Sequence, residues 1–535
     1  MNRRSFLQRG AALPARSLTP ASPSAPAYGI GDERRPAARS SQSAGDLTPY
    51  TPRPEKPWDE RRAAHLLRRV GLAPTWGEIT AAAASTPSAI LAPLLSPATL
   101  PEGPGAWVTT PPFAQVNNAE RAQYYTWVRD MQEWWAQRML APAEMLREKM
   151  VLFWHNHFVS EYPKVEITQL MFRQNQLFRE YAFGDFRALT RKVTTDPAML
   201  IYLDGATSRQ GNPNENYARE LLELFTLGVG SYANGEPHYT ERDIVDLAKA
   251  LTGWTVNGLN SEFKSTRFDS GSKTIFGRTS NFGVAPGTDD VIDHIFGQID
   301  PDFDSPRAAI FLCSKLYQHF IFETPDMEIV AGMARTLIDN QWRIEPVLRE
   351  LLASEHFFDD NVIGAKLKSP VEFVLGSIRQ FNLTPVMSRT TTDTGRPEVH
   401  DPVTAMGNLS QSLLYPPNVK GWIGGRTWIS SATVPLRIRY SKMWLEPVSG
   451  ALAYGFNPVA FVKSFASSAD ATELMDDMLT LLLPVAVSNE TRQILLDELL
   501  GGGPAYEWNP DAPNAATRIR ACLIRVANLG EYQLM

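Results

Sequence analysis

From Trp58 onwards, apolar residues recur every three to four positions through segment after segment, and this period constrains the fold more than any other feature of the chain. A stripe with that spacing lies on one face of a helix, whereas a strand needs strict alternation. The spacing predicts helices over 60–70, 118–140, 143–158, 167–183, 186–194, 216–227, 241–251, 306–322, 327–337 and 344–352, and again over 472–483 and 490–500. Two of the starts carry capping chemistry. Thr240 with Asp243 three residues on has the pattern of a capping box, and Asn214 has the side chain of an N-cap.

Two stretches break the period. Between Gly258 and Gly287 the chain is rich in Gly, Ser and Thr, with short aromatic alternations at Phe268 and Phe276, which reads as a hairpin or long loop placed to cover a site. Residues 415–428 hold two prolines and three glycines, so they form no helix, and their two tryptophans, Trp422 and Trp428, imply an ordered loop. The expected fold is therefore mainly α. A large multi-helix domain over 58–440 carries the Gly/Ser-rich insertion, and a small C-terminal helical extension follows over 441–535.

The amino terminus reads as an address. Asn2-Arg3-Arg4-Ser5-Phe6-Leu7 is close to the twin-arginine export consensus, and Ala25-Pro26-Ala27 has the small-x-small pattern of a cleavage site. Pro14, Arg16 and Pro20 interrupt the apolar stretch expected between them. Residues 1–27 are thus expected to be an export signal and 28–57 a linker, since few large apolar residues there offset the entropy of ordering. A periplasmic or extracellular location follows from that reading, and a cytoplasmic one if the same residues are only an unstructured tail.

The formal net charge of -6 provides no diffuse basic field, which argues against a nucleic-acid partner. No apolar run approaches the roughly 20 residues of a membrane span, so no transmembrane segment is expected. With only Cys313 and Cys522, at most one disulfide can form, and a cysteine-rich zinc site is excluded.

Two helices carry candidate chemistry. Glu144, Glu148 and His155, spaced by four and seven, fall within about 40° of one another at about 100° per residue, so they share one helical face. Such a stripe can ligate a divalent metal or form an acid-base pair, or Glu148 can pair with an arginine. His157 lies on the opposite side of that helix. In the segment 216–227, Asn216, Glu220 and Glu223 form the one polar stripe of an otherwise apolar helix. Buried carboxylates there must face a metal, a cation or a wet cleft, or pair with Arg173, Arg179 or Arg219.

The catalytic candidates are therefore His155, Glu220 and Glu223. The candidate metal ligands are Glu144, Glu148, His155, Glu220 and Glu223. Asn216 is placed to bind substrate. So are Lys420, Trp422, Arg426 and Trp428 of the proline-glycine loop, which suit a stacked sugar ring and an anionic group. His155, Glu220 and Glu223 are expected to converge on one cleft, near Lys420 and Trp422. The Glu-x-x-His spacing of helical di-metal proteins is missing, because Glu223 stands where a His is needed. His155-Asn156-His157 shares its letters with a nuclease motif that sits on a ββα metal finger, not on a helix of an acidic chain. There is no Gly-x-Ser-x-Gly elbow, phosphate-binding glycine loop or dinucleotide fingerprint.

Several strings together resemble the family catalogued as domain of unknown function 1800. They are Ala64-His65-Leu66-Leu67-Arg68-Arg69-Val70-Gly71; Arg147-Glu148-Lys149-Met150 running into Phe153-Trp154-His155-Asn156-His157-Phe158; Asn212-Pro213-Asn214-Glu215-Asn216 with Ala218-Arg219-Glu220-Leu221; Ala250-Leu251-Thr252-Gly253-Trp254; and Pro416-Pro417-Asn418-Val419-Lys420-Gly421-Trp422. The resemblance covers roughly 58–440 and brings no catalytic residues with it. It implies twin-arginine export and a neighbour-encoded exported partner, of the family of domain of unknown function 1501, which is similar to sulfatases and phosphatases. Work on an extracellular or periplasmic polymer fits that association.

Two readings of function follow. One is an exported enzyme, metal- or acid-base-dependent, acting on a carbohydrate-like or other polymer or on a small molecule. The other is a non-catalytic helical binding or assembly protein of the cell envelope, in which the polar stripes are buried ion pairs.

Overall fold

The computed structural model describes residues 46–96, 99–114, 116–232, 235–384, 401–446 and 455–535. Twenty-two α-helical segments account for most of them and the strands are short, so the protein is mainly α, as the apolar period requires. Glu60–Val70, Asn118–Leu140, Phe186–Thr194 and Ile344–Leu352 run as the spacing predicts. The segment 143–158 divides into a 3-10 turn, Pro142–Glu144, and the helix Met145–His157. The segment 216–227 changes hand-over-hand from α (Asn216–Glu220) to π (Leu221–Thr226), where Leu227 N–H reaches the Leu222 carbonyl at 2.9 Å. Thr240 and Asp243 form the expected capping box, while Asn214 accepts from Asn216 N–H one residue before the cap position.

Helices that lack a one-sided stripe escape the period. In Pro370–Gln380 every residue is buried, so no polar face marks it, although Ser369 and Glu372 form a capping box at its start. Trp76–Ala83, Pro87–Leu94, Thr433–Leu445 and Ala515–Ala527 are further helices outside the predicted set, each burying one side only.

The Gly/Ser-rich insertion is two hairpins, Trp254–Asn257 with Asn260–Phe263 and Lys273–Ile275 with Arg278–Ser280. It packs on the helix Glu241–Ala250, where Asp246 and Asp243 accept from Thr274 N–H (2.9 Å) and Phe276 N–H (2.7 Å). It does not cover the cavity described below.

The export signal, and the linker as far as residue 45, lie outside the described residues. The linker expected up to residue 57 is corrected over 46–57, which joins the body through backbone pairing that local composition does not announce. Tyr50 N–H donates to Ala353 O at 2.8 Å, Glu355 N–H to Thr48 O at 2.9 Å, and Lys56 pairs with Glu355 at 2.8 Å.

The C-terminal helices belong to the same compact unit, which spans Gly45–Met535. Residues 367 and 534 form a β-bridge, Met535 N–H donates to Lys366 O at 2.8 Å, and Lys368 N–H donates to Gln533 O at 2.8 Å. Arg68 and Arg69 tie helix ends into this unit. Arg68 donates to Thr480, Leu481 and Leu483 carbonyls, and Arg69 to those of Phe320, Ile321 and Val362. Both guanidinium groups are buried and face the carbonyl, negative ends of the helices Ala471–Leu482 and Arg307–Phe320. Cys313 and Cys522 are buried free thiols. Among the described residues no helix is long and apolar enough to cross a membrane.

Candidate functional site

The helix Met145–His157 is buried on almost every side, so each of its polar side chains must find a partner inside the protein. Glu148 accepts from Arg179 Nε and Nη2, both at 2.7 Å, and from Trp135 Nε1 at 3.0 Å, with carboxylate and guanidinium essentially inaccessible to solvent. Glu144 is held by Arg138. Lys149 Nζ donates to Gly71 O and to Glu372 Oε1, both at 2.9 Å.

His155 and His157 point to opposite sides, as helical spacing requires. His155 lies between the Trp135 and Trp422 rings, 5.6 and 5.8 Å away, and its buried Nε2 has no hydrogen-bond partner. Burial pushes it down to about 4, so it is neutral. His157 Nε2 lies 3.0 Å from Phe225 O and must therefore carry the proton, which leaves Nδ1 to accept from Lys315 Nζ at 3.3 Å.

Asn156, between the two histidines, joins this helix to the proline-glycine loop. Trp422 N–H donates to Asn156 Oδ1 at 2.7 Å and Asn156 Nδ2 donates back to Trp422 O at 3.2 Å. The loop can approach so closely only because residue 421 is glycine: a Cβ there would lie 2.2 Å from Asn156 Oδ1, and its φ of +74° is left-handed.

Helix and loop together enclose a cavity of about 540 Å³. The helix Arg307–Phe320 adds Lys315 and His319, the segment 366–372 adds Lys366 and Glu372, and Glu323 follows just beyond the helix. The carboxylate of Glu323 presses against the backbone at Gly425, and among the described residues no cation pairs with it. Lys366 Nζ donates to Gln318 O at 2.9 Å and to His319 O, and buried His319 Nε2 has no partner. Burial pushes the Lys315 amine down to about 8. Burial first, then the charges of Arg69 and Lys149, outweigh Glu372 and Glu323 and push Lys366 down to about 7.

Of the expected substrate-binding residues, Lys420, Trp422, Arg426 and Trp428 all line this cavity. The two tryptophans are only 6% and 7% exposed, so most of each fills the core and a small part meets the cavity. Lys420 and Arg426 are exposed, and Ile423 beside them is 84% exposed. Asn216, Glu220 and Glu223 do not line the cavity. Asn216 is exposed and donates to Asp204 at 3.3 Å. Glu220 and Glu223 are half-buried, and Tyr239 O–H donates to Glu223 at 3.4 Å. Burial, then the neighbouring Glu223, raises the Glu220 carboxyl, and Lys420 pulls it back, so Lys420 stands between the two regions.

The metal set read from the sequence, Glu144, Glu148, His155, Glu220 and Glu223, is not brought together: among the described residues no three His, Cys, Asp or Glu side chains converge as ligands. Arg138 and Arg179 hold the first two carboxylates, and the free nitrogen of His155 is enclosed by indole rings, so these donors do not fit a divalent ion.

The residues that sequence reasoning passed over are Lys149, Lys315, His319, Glu323, Lys366 and Glu372. Only Lys149 lies in a string singled out beforehand. Lys366 and Glu372 flank Ser369-Pro370, a helix-start signal that would have drawn attention to them.

No curated protein and no solved structure matches the chain. The family model described as protein of unknown function (DUF1800) matches residues 65–527. The match runs past residue 440 into the C-terminal helices, in keeping with their packing into the same unit, and the chain belongs to the family of domain of unknown function 1800.

Proposed function

We propose that the chain is an exported protein that acts on a carbohydrate-like or other polymer at the tryptophan-edged cavity, through proton transfer by its own side chains. The observation that carries this reading is the cavity wall itself, where Glu323 is the carboxylate left without a cation while Glu148 and Glu372 are neutralised by Arg179 and Lys149. An uncommitted carboxylate beside half-buried amines is a suitable proton carrier, and Trp422 and Trp428 in the wall offer a sugar ring an aromatic surface. In this reading His155 orients Trp422 from behind, and Glu220 and Glu223 form an outer acidic patch linked to the mouth by Lys420. Glu323 takes the place of the metal set as the central group. The neighbour-encoded sulfatase- or phosphatase-like protein would work on the same polymer.

The test is to incubate purified protein with acidic and neutral polysaccharides and follow the appearance of new chain ends. Turnover that falls at least about tenfold in Glu323→Gln while binding persists supports the reading. Binding without any turnover favours the second reading, a non-catalytic binding or assembly protein of the envelope. That alternative has its own support. Of the polar side chains in the family strings, His65, Arg68, Arg69 and Asn156 hold backbone and Glu148 holds Arg179, which leaves little of them for catalysis.

A further inference from the structure

The helix Arg307–Phe320 carries two amines that its surroundings leave incomplete. Lys315 belongs to this helix, and Lys366 rests on the carbonyls of residues 318 and 319, so their anchor points are about one turn apart along it. A lysine ammonium has three N–H donors. Lys315 directs two of them, to Leu224 O at 3.0 Å and to His157 Nδ1 at 3.3 Å. Lys366 directs two to Gln318 O and His319 O. One donor remains on each, and both residues line the cavity.

Neither amine has a carboxylate within ion-pair distance among the described residues. Lys149, which lines the same cavity, pairs with Glu372 at 2.9 Å and so has in contact the counter-charge that Lys315 and Lys366 lack. An ammonium drawn out of water with no carboxylate in contact is unfavourable, and for Lys366 the nearby Glu372 and Glu323 offset only part of that cost. The mouth adds cations of the same sign, exposed Lys420 and Arg426, with Glu323 as the one unpaired acid of the wall.

We infer that the cavity holds an anionic group of its ligand, a carboxylate, sulfate ester or phosphate ester, between Lys315 and Lys366, with Lys420 and Arg426 guiding it through the mouth. This rests on the reading of the cavity as the ligand site, and it narrows the polymer to an acidic one. The arriving anion supplies both the missing acceptor and the missing counter-charge.

Binding is therefore coupled to proton uptake. In the free protein the amines sit near 8 for Lys315 and 7 for Lys366, and an anion raises both. Affinity is full below the free values and falls as the pH rises through them towards the values of the complex. The groups facing Lys366 are Arg69, Lys149, Glu372, Glu323 and His319, the last held neutral by burial and by Lys366 itself. Those facing Lys315 are His157, held neutral by burial, and the Phe311 ring at 4.9 Å. Burial alone would raise the Glu372 carboxyl, but Lys149 and Lys366 outweigh it and hold it far below the usual carboxylate range, so it stays ionised and the lysines set the slope.

The experiment is calorimetric titration of the full chain with inorganic phosphate, inorganic sulfate, a galacturonate oligomer and a neutral galactose oligomer. It is run from pH 6 to 9 in buffers of differing ionisation enthalpy. The expected result is binding of the galacturonate oligomer or of the inorganic anions, with proton uptake. Affinity is at least about tenfold weaker in Lys315→Met/Lys366→Met. Should that variant not fold, Lys420→Ala/Arg426→Ala, altered only at the exposed mouth, is expected to weaken binding and flatten its salt dependence.

Binding of sulfate and phosphate but not galacturonate assigns the group to an ester, and the reverse to a carboxylate. Binding of the neutral oligomer with no effect of charge or pH overturns the anion subsite and leaves the cavity as the ligand site. Anion binding unchanged in both variants overturns it too. If none of the four ligands binds, the reading of the cavity fails with it.

Discussion

Asn156 and Trp422, distant in sequence, are joined by two hydrogen bonds between the asparagine amide and the tryptophan backbone, at 2.7 and 3.2 Å. The amide substitutes for a neighbouring strand and fixes the loop of Lys420 and Arg426 to the buried helix. The middle letter of His155-Asn156-His157 thus has a structural task unrelated to nuclease chemistry.

Removing that clamp should loosen the loop without melting the helices. Asn156→Ala is expected to lower stability by about 2 kcal/mol, because two bonds go and the Trp422 backbone is left partly buried. Asn156→Asp, which keeps the acceptor for Trp422 N–H, should lose less. Urea unfolding followed by tryptophan fluorescence measures both, and an unchanged midpoint for the alanine variant would contradict the assigned role.

The Glu148–Arg179 pair is nearly inaccessible to solvent, so breaking it from one side strands a charge. Glu148→Ala is expected to cost about 3–5 kcal/mol, and combining Glu148→Leu with Arg179→Met should recover a large part of the loss. Chemical denaturation of the two variants decides. A mild effect of the single substitution would mean that the carboxylate is free for another task, as in the metal reading.

The segment 46–57 is expected to stabilise the fold in a pH-dependent way. Burial alone would raise the Glu355 carboxyl, but hydrogen bonds from Arg53, Lys56 and Thr51 outweigh it and hold it at about 2. Its folded value lies below its unfolded one. The contribution is thus present above the unfolded value and lost as the pH falls from about 5 towards 2. A chain beginning at Trp58 should melt below one beginning at Gly45 at neutral pH, with the gap narrowing in acid. Equal melting temperatures at pH 7 would show that this segment contributes nothing.

Export is testable without any structure. Replacing Arg3 and Arg4 together by lysine should leave unprocessed precursor in the cytoplasm, since the twin-arginine pathway reads the guanidinium pair. Fractionation and immunoblotting give the answer, and secretion at the normal level by the double variant would sink the assignment.

Much of the helical framework was legible because its cause is local. In Glu60–Val70 the residues from Arg62 to Val70 are buried, with the apolar side chains and the partnered His65, Arg68 and Arg69 each directed by position along one turn or the next. The Thr240–Asp243 capping box, the hairpins and the non-helical run before Gly425 follow equally from side chains within a few residues. Pro370–Gln380 was not legible, because a helix buried all round shows no amphipathic period.

Sequence alone made this chain helical, set where about half of its helices begin and end, and put particular polar residues on one face. All of these depend on neighbours three and four positions apart, and local sterics and capping decide them. Only the tertiary structure decided what those faces meet. Glu148 finds Arg179 across 31 positions, Lys149 finds Glu372 across 223 and Asn156 finds Trp422 across 266. Lys315 and Lys366 find no carboxylate within ion-pair distance among the described residues. Pairing over such separations is set by how the helices pack, and the burial that makes an amine or an acid reactive exists only once they have done so.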